Sequence, residues 1–95
     1  MRIEGVIWDE DDDPEGNVAH IAEHDISIDE VEDVLYDPRN STGPSNHAGR
    51  MLTCGETETG RFLCVAWERA GDDPLIVRPV TAFDSNPPRS RRRGK

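Results

Sequence analysis

Two histidines four residues apart, His20 and His24, are the first residues in this chain that could do chemistry. At that spacing they share one face of a helix, and an imidazole moves protons near neutral pH. The same pair also reads as packing residues at a helix–sheet junction, bonded to backbone carbonyls. A tetrahedral metal site would need Cys54 and Cys64 as thiolates on two strands facing that helix, and no C-x-x-C or H-E-x-x-H spacing points to one. Counted from Asp11, Asp13, Glu15 and Gly16 fall where an EF-hand loop wants them, but Ala22 stands in place of the bidentate glutamate. No metal and no cofactor is therefore expected. At the other end, Arg89, Arg91, Arg92, Arg93 and Lys95 form a cationic segment. Its candidate counterparts are RNA phosphates, an acidic partner segment, or the acidic surface of residues 9 to 33.

The elements that must position these residues have to fit in 95 residues, enough for one modest domain. Only 34% of the residues are hydrophobic, so the core is thin. The net charge of -9 is divided sharply, with -13 on residues 1 to 37 and +4 on residues 38 to 95. An acidic total argues against a general nucleic-acid coat, because the long-range field repels a polyanion before local contacts form. No run approaches a membrane span and the start lacks a secretory apolar region, so a cytoplasmic protein with no membrane contact is expected. There the two cysteines would remain thiols.

Order along the chain is legible. "RIEGVIW" suits a short first strand. Asp13 reads as an N-cap with Pro14 at the first helical position, opening a helix through Asn17, His20, Ile21 and His24. Ser27 and Glu30 form a capping box, and Ile26 and Val31 stand where a hydrophobic staple needs them. The following helix carries Ile28, Val31, Val34 and Leu35 as its apolar stripe and ends at Asp37-Pro38. Residues 37–49 read as a loop. "RMLTCGETETGRFLCVAWER" makes two strands around Glu58-Thr59-Gly60, the second covered on both faces. "PLIVRPVTAF" is a third strand that Pro79 pushes toward an edge or a bulge. Asn86 and Pro87 suggest a short, frayed closing helix.

"IWDE", "NVAHIAEHDISIDEVEDVLYDP", "GRMLTCGETETGRFLCVAWER" and "VRPVTAFD" resemble, in order and over most of the chain, the BrnT-type toxins of the RelE-like superfamily. The helix pair around Asn17, His20, Ile21 and His24 carries the likeness most specifically, and the pairs Gly49-Arg50 and Gly60-Arg61 add independent support. Where the family commonly ends a strand in Ala-Arg-Asp, this chain has Ala82-Phe83-Asp84. The resemblance implies an α+β domain over residues 1–85, with two N-terminal helices packed on a small, mainly antiparallel, RelE-like sheet. Residues 86–95 would then be a short or disordered basic tail. It further implies a toxin of a type II toxin–antitoxin system, a metal-independent endoribonuclease cleaving RNA through the 2′-hydroxyl. Its partner would be an antitoxin with a ribbon-helix-helix domain. Arg50, Arg61 and Arg78 match basic positions of the family pattern and would hold phosphate, with His20 or His24 moving protons. The alternative is a toxin-fold domain that has lost cleavage and acts as a protein-binding module.

Overall fold

The computed structural model describes residues 2–47 and 49–87. Strand β1 (Ile3–Val6) comes first, followed by helices α1 (Asn17–Ala22) and α2 (Ile28–Tyr36). Strands β2 (Ser41–Pro44), β3 (Arg50–Glu56), β4 (Phe62–Asp72) and β5 (Leu75–Asp84) complete the regular structure of the described residues. All five strands form one sheet in the order β1-β5-β4-β3-β2. β2 to β5 pair antiparallel in succession, and β1 lies parallel to β5 at the far edge.

This corrects the expected two N-terminal helices on a mainly antiparallel, RelE-like sheet. The sheet is mixed, a strand precedes the helices, and the helices are only six and nine residues long, inside the β1-to-β2 connection. The first and last strands share no hairpin, so no tight turn imposes antiparallel pairing on them. Among the described residues no helix is long and apolar enough to cross a membrane.

The second helix forms as its sequence predicts. Ser27 Oγ accepts from the Glu30 amide at 3.2 Å, and Glu30 Oε1 accepts from the Ser27 amide at 3.1 Å. Ile26 and Val31 are both buried, and Val34 and Leu35 continue the stripe. This face packs with Leu63, Val65, Trp67 and Val77 of the sheet in one core. Each such side chain contributes about 1.5–3 kcal/mol by leaving water.

The first helix starts later than expected. Its N-cap is Gly16, and Asp13 instead caps a turn, its Oδ1 accepting from the Glu15 amide at 3.0 Å. A more distant pairing sets the start. The Asn17 amide donates to Asp9 Oδ2 and the Asp9 amide donates to Asn17 Oδ1, each at 2.9 Å. The Asn17 side-chain nitrogen then donates to the carbonyls of Ile7 and Pro79, both at 3.0 Å. Asn17 is 2% exposed, so this one amide locks the end of β1, the start of α1 and the middle of β5 together away from water.

Three further expectations change. Residues 37–49 are not all loop, because Ser41–Pro44 pairs with β3. An edge strand needs one ladder and little apolar surface, which a run of Ser, Thr, Gly and Pro supplies. β5 is not an edge strand either, since it lies between β1 and β4. Pro79 does sit at a register shift opposite Trp67, beyond the last residue that pairs with β1, where no outer ladder needs its missing donor. Finally, Cys54 and Cys64 are directly opposite in β3 and β4 and form a disulfide, in place of the expected thiols.

Replacing Asn17 with alanine strands three buried or half-buried backbone groups. The expected loss is about 2–4 kcal/mol, read as a lower urea midpoint. A loss indistinguishable from that of exposed His20→Ala would refute the locking role.

Candidate functional site

Arg61 stands where the β3–β4 turn closes, after Gly60, whose φ of 90° suits a residue without a Cβ. The turn is fixed from within, since Thr57 Oγ1 accepts from the Arg61 amide at 3.1 Å and the Thr57 amide donates to the Arg61 carbonyl at 2.8 Å. From there the guanidinium reaches three other segments. Nε and Nη2 donate to the two oxygens of Asp84 at 2.6 and 2.9 Å. Nη1 donates to the Asp25 carbonyl at 2.6 Å and to Glu30 Oε1 at 3.1 Å. Nη2 donates to the His24 carbonyl at 3.2 Å. A guanidinium has five N–H groups, and here each has an acceptor. None is left for a phosphate.

The bond to Asp84, with help from Glu30, holds the guanidinium protonated well above its ordinary range. Reciprocally, the Arg61 bond first, and then the charges of Arg61 and His24, hold the Asp84 carboxyl below its ordinary value. His24 is thus within electrostatic reach of this pair. Both His24 and His20 are exposed, so neither is a packed junction residue.

Arg50 and Arg78 lie elsewhere. In the register of β3, β4 and β5, Arg50 is opposite Glu68 and Glu68 is opposite Arg78, so the three side chains form a row on one face. Arg50 Nε donates to Glu68 at 3.2 Å, and Arg78 pairs with Asp9, the same carboxylate that anchors Asn17. Seven residues of β4 separate this row from Arg61, about 23 Å at strand rise. The expected convergence of Arg50, Arg61 and Arg78 with an imidazole is not what the fold builds. Arg61 and His24 meet, whereas Arg50 and Arg78 share a distant row. Arg89, Arg91, Arg92, Arg93 and Lys95 lie outside the described residues.

What the fold does build is an open groove of about 1320 Å³ along the outward side of α2, walled on one side by the β3–β4 turn. Asp25, Asp29, Glu32 and Asp33 come from α2 and the link before it, and Glu56 and Glu58 from the hairpin. Two arginines also line it, but Arg61 is held by Glu30 and Asp84, and Arg39 by Asp37 at 2.8 Å. Among the described residues, none of the six other carboxylates has a cationic partner. Two contacts fix the wall to the helix: Arg61 to Glu30, and the Glu58 amide to Asp33 at 3.1 Å.

Neither the groove nor the anchoring role of Asp84 is visible in the sequence read locally. The available signal was acidic residues on both the polar face of α2 and the turn at Glu56 and Glu58. Among the described residues no group of three or more His, Cys, Asp or Glu side chains is placed to hold a metal ion. With Cys54 and Cys64 bonded to each other, the thiolate site has no thiolates.

The Asp84–Arg61 pair gives a signed pH effect. Because the folded carboxyl lies below its unfolded value of 3.8, its contribution is complete above that pH and is lost as pH falls through the lower folded value. Asp84→Asn removes it at every pH. The stability gap between the native chain and the variant should therefore narrow from about pH 5 to about pH 2, measured by urea denaturation; a gap independent of pH would contradict the assignment. A scan against protein-family models, a search of curated proteins and a search of solved structures found no match to this chain.

Proposed function

We propose that this chain is a protein-binding module that takes up a cationic, arginine-rich polypeptide segment along α2. One observation carries the reading: six carboxylates with no cationic partner among the described residues line a groove whose two arginines are already neutralised. Such a surface attracts guanidinium and ammonium groups and repels nucleic-acid phosphates, as does the net charge of -9. Under the resemblance to BrnT-type toxins, the partner is an antitoxin with a ribbon-helix-helix domain, which would have to present such a segment. In that case the chain is the form that has kept binding and lost cleavage.

The reading is tested with a fluorescent hepta-arginine peptide and the full chain. Reversing two exposed hairpin charges, Glu56→Lys with Glu58→Lys, should weaken binding about tenfold at low salt. Unchanged affinity would place the peptide elsewhere and reject the groove.

A second reading, the metal-independent endoribonuclease acting through the 2′-hydroxyl, is favoured by the nearness of His24 to the Arg61–Asp84 pair. An imidazole there has solvent access and a carboxylate neighbour, the requirements of a proton carrier. Under this reading, purified protein cleaves single-stranded RNA in the presence of a chelator, and His24→Ala abolishes cleavage without changing the circular dichroism spectrum. Intact RNA, with no slowing of growth on induction, would remove it.

A further inference from the structure

We infer that the groove along α2 is the docking site of the chain's own basic segment, Arg89 to Lys95, which competes there with any cationic partner. The inference rests on the binding-groove reading above and adds its regulation.

The course of β5 supports it. The strand ends at Asp84, which is bound to Arg61, and Arg61 is bound to Glu30 in the first turn of α2. The Ser85 amide donates to the Phe62 carbonyl at 3.0 Å, so the chain leaves the sheet beside the groove's end. From Asp84, Arg89 is within about 17 Å and Lys95 within about 37 Å of extended chain, whereas a nine-residue helix such as α2 is about 14 Å long. The segment can therefore span the helix. Its five cations are complementary in charge to the six groove carboxylates, which have no cationic partner among the described residues. Tyr36 also lines the groove and is 41% exposed, an aromatic ring of the kind on which guanidinium groups stack. Tethering makes weak contacts count. An attached segment at about millimolar effective concentration, binding with a dissociation constant of about 0.1 mM, reduces access by a competitor about tenfold.

The probe is a labelled peptide of sequence RSRRRGK. It is titrated into the full chain and into a full chain carrying Arg89→Gln, Arg91→Gln, Arg92→Gln, Arg93→Gln and Lys95→Gln. The neutralised chain should bind it about tenfold more tightly at low salt. With Glu56→Lys and Glu58→Lys added to both chains, that difference should disappear. Equal binding by the two original chains overturns the self-docking inference and leaves the groove reading standing. A difference that survives the two charge reversals reports net charge alone and also overturns it. No binding to either chain rejects the groove itself.

Discussion

The Arg61 guanidinium is the contact on which the arrangement of the outer elements depends. It gathers acceptors from the link before α2, from the first turn of α2 and from the last residue of β5, while its own backbone closes the hairpin. The guanidinium adds to what Ile26 in the core, the Glu58–Asp33 bond and the β4–β5 ladder already fix, and ties all three segments to a single side chain. A planar donor with five fixed N–H directions suits the task, because one cation can satisfy two carbonyls and two carboxylates at once. The same completeness decides its chemistry. A phosphate would have to displace Asp84 or the carbonyls of His24 and Asp25, leaving those acceptors unpaired.

Charge explains the character of the remaining surface along α2. Fourteen of the twenty acids lie in the first 37 residues, and α2 turns several of them outward because its other face must bury Val31, Val34 and Leu35. Amphipathicity alone would give a solvated acidic face. The hairpin changes this by bringing Glu56 and Glu58 against the helix and fixing them there through Asp33 and Glu30. Carboxylates placed opposite one another across a groove repel, and a cationic segment relieves that repulsion more specifically than dilute salt.

Legibility in the sequence followed the range of each interaction. α2 was readable because its cap, staple and stripe are all set within ten residues, and the β3–β4 hairpin because Gly60 marks its turn. The start of α1 was not, because Asn17 answers to Asp9, Ile7 and Pro79 and overrides the local Asp13-Pro14 signal. β2 escaped notice because its pairing depends on the free edge of β3, which no property of Ser41–Pro44 announces. The parallel placement of β1 was hidden for the same reason, its partner being more than 70 residues away. Of the candidate site residues, Arg61 reaches His24 through its backbone carbonyl, a contact that depends on where the hairpin turn meets the end of α1. The distance of Arg50 and Arg78 follows from strand register, which types and spacings do not specify.

Alternation in β5 sends Phe83 and Asp84 to opposite faces of the sheet. Asp84 is opposite Leu63, a core residue beneath the helices, whereas Phe83 is opposite Cys64, on the other face of the sheet. Neighbouring strand residues point to opposite sides. An arginine at position 83 would therefore stand beside the disulfide, on the face that carries the Arg50–Glu68–Arg78 row, and not beside Arg61 and His24. The phenylalanine there places an aromatic ring, 38% exposed, next to Cys64 on a face remote from the imidazoles. Asp84, on the opposite face, is the residue that commits Arg61 to holding the fold together.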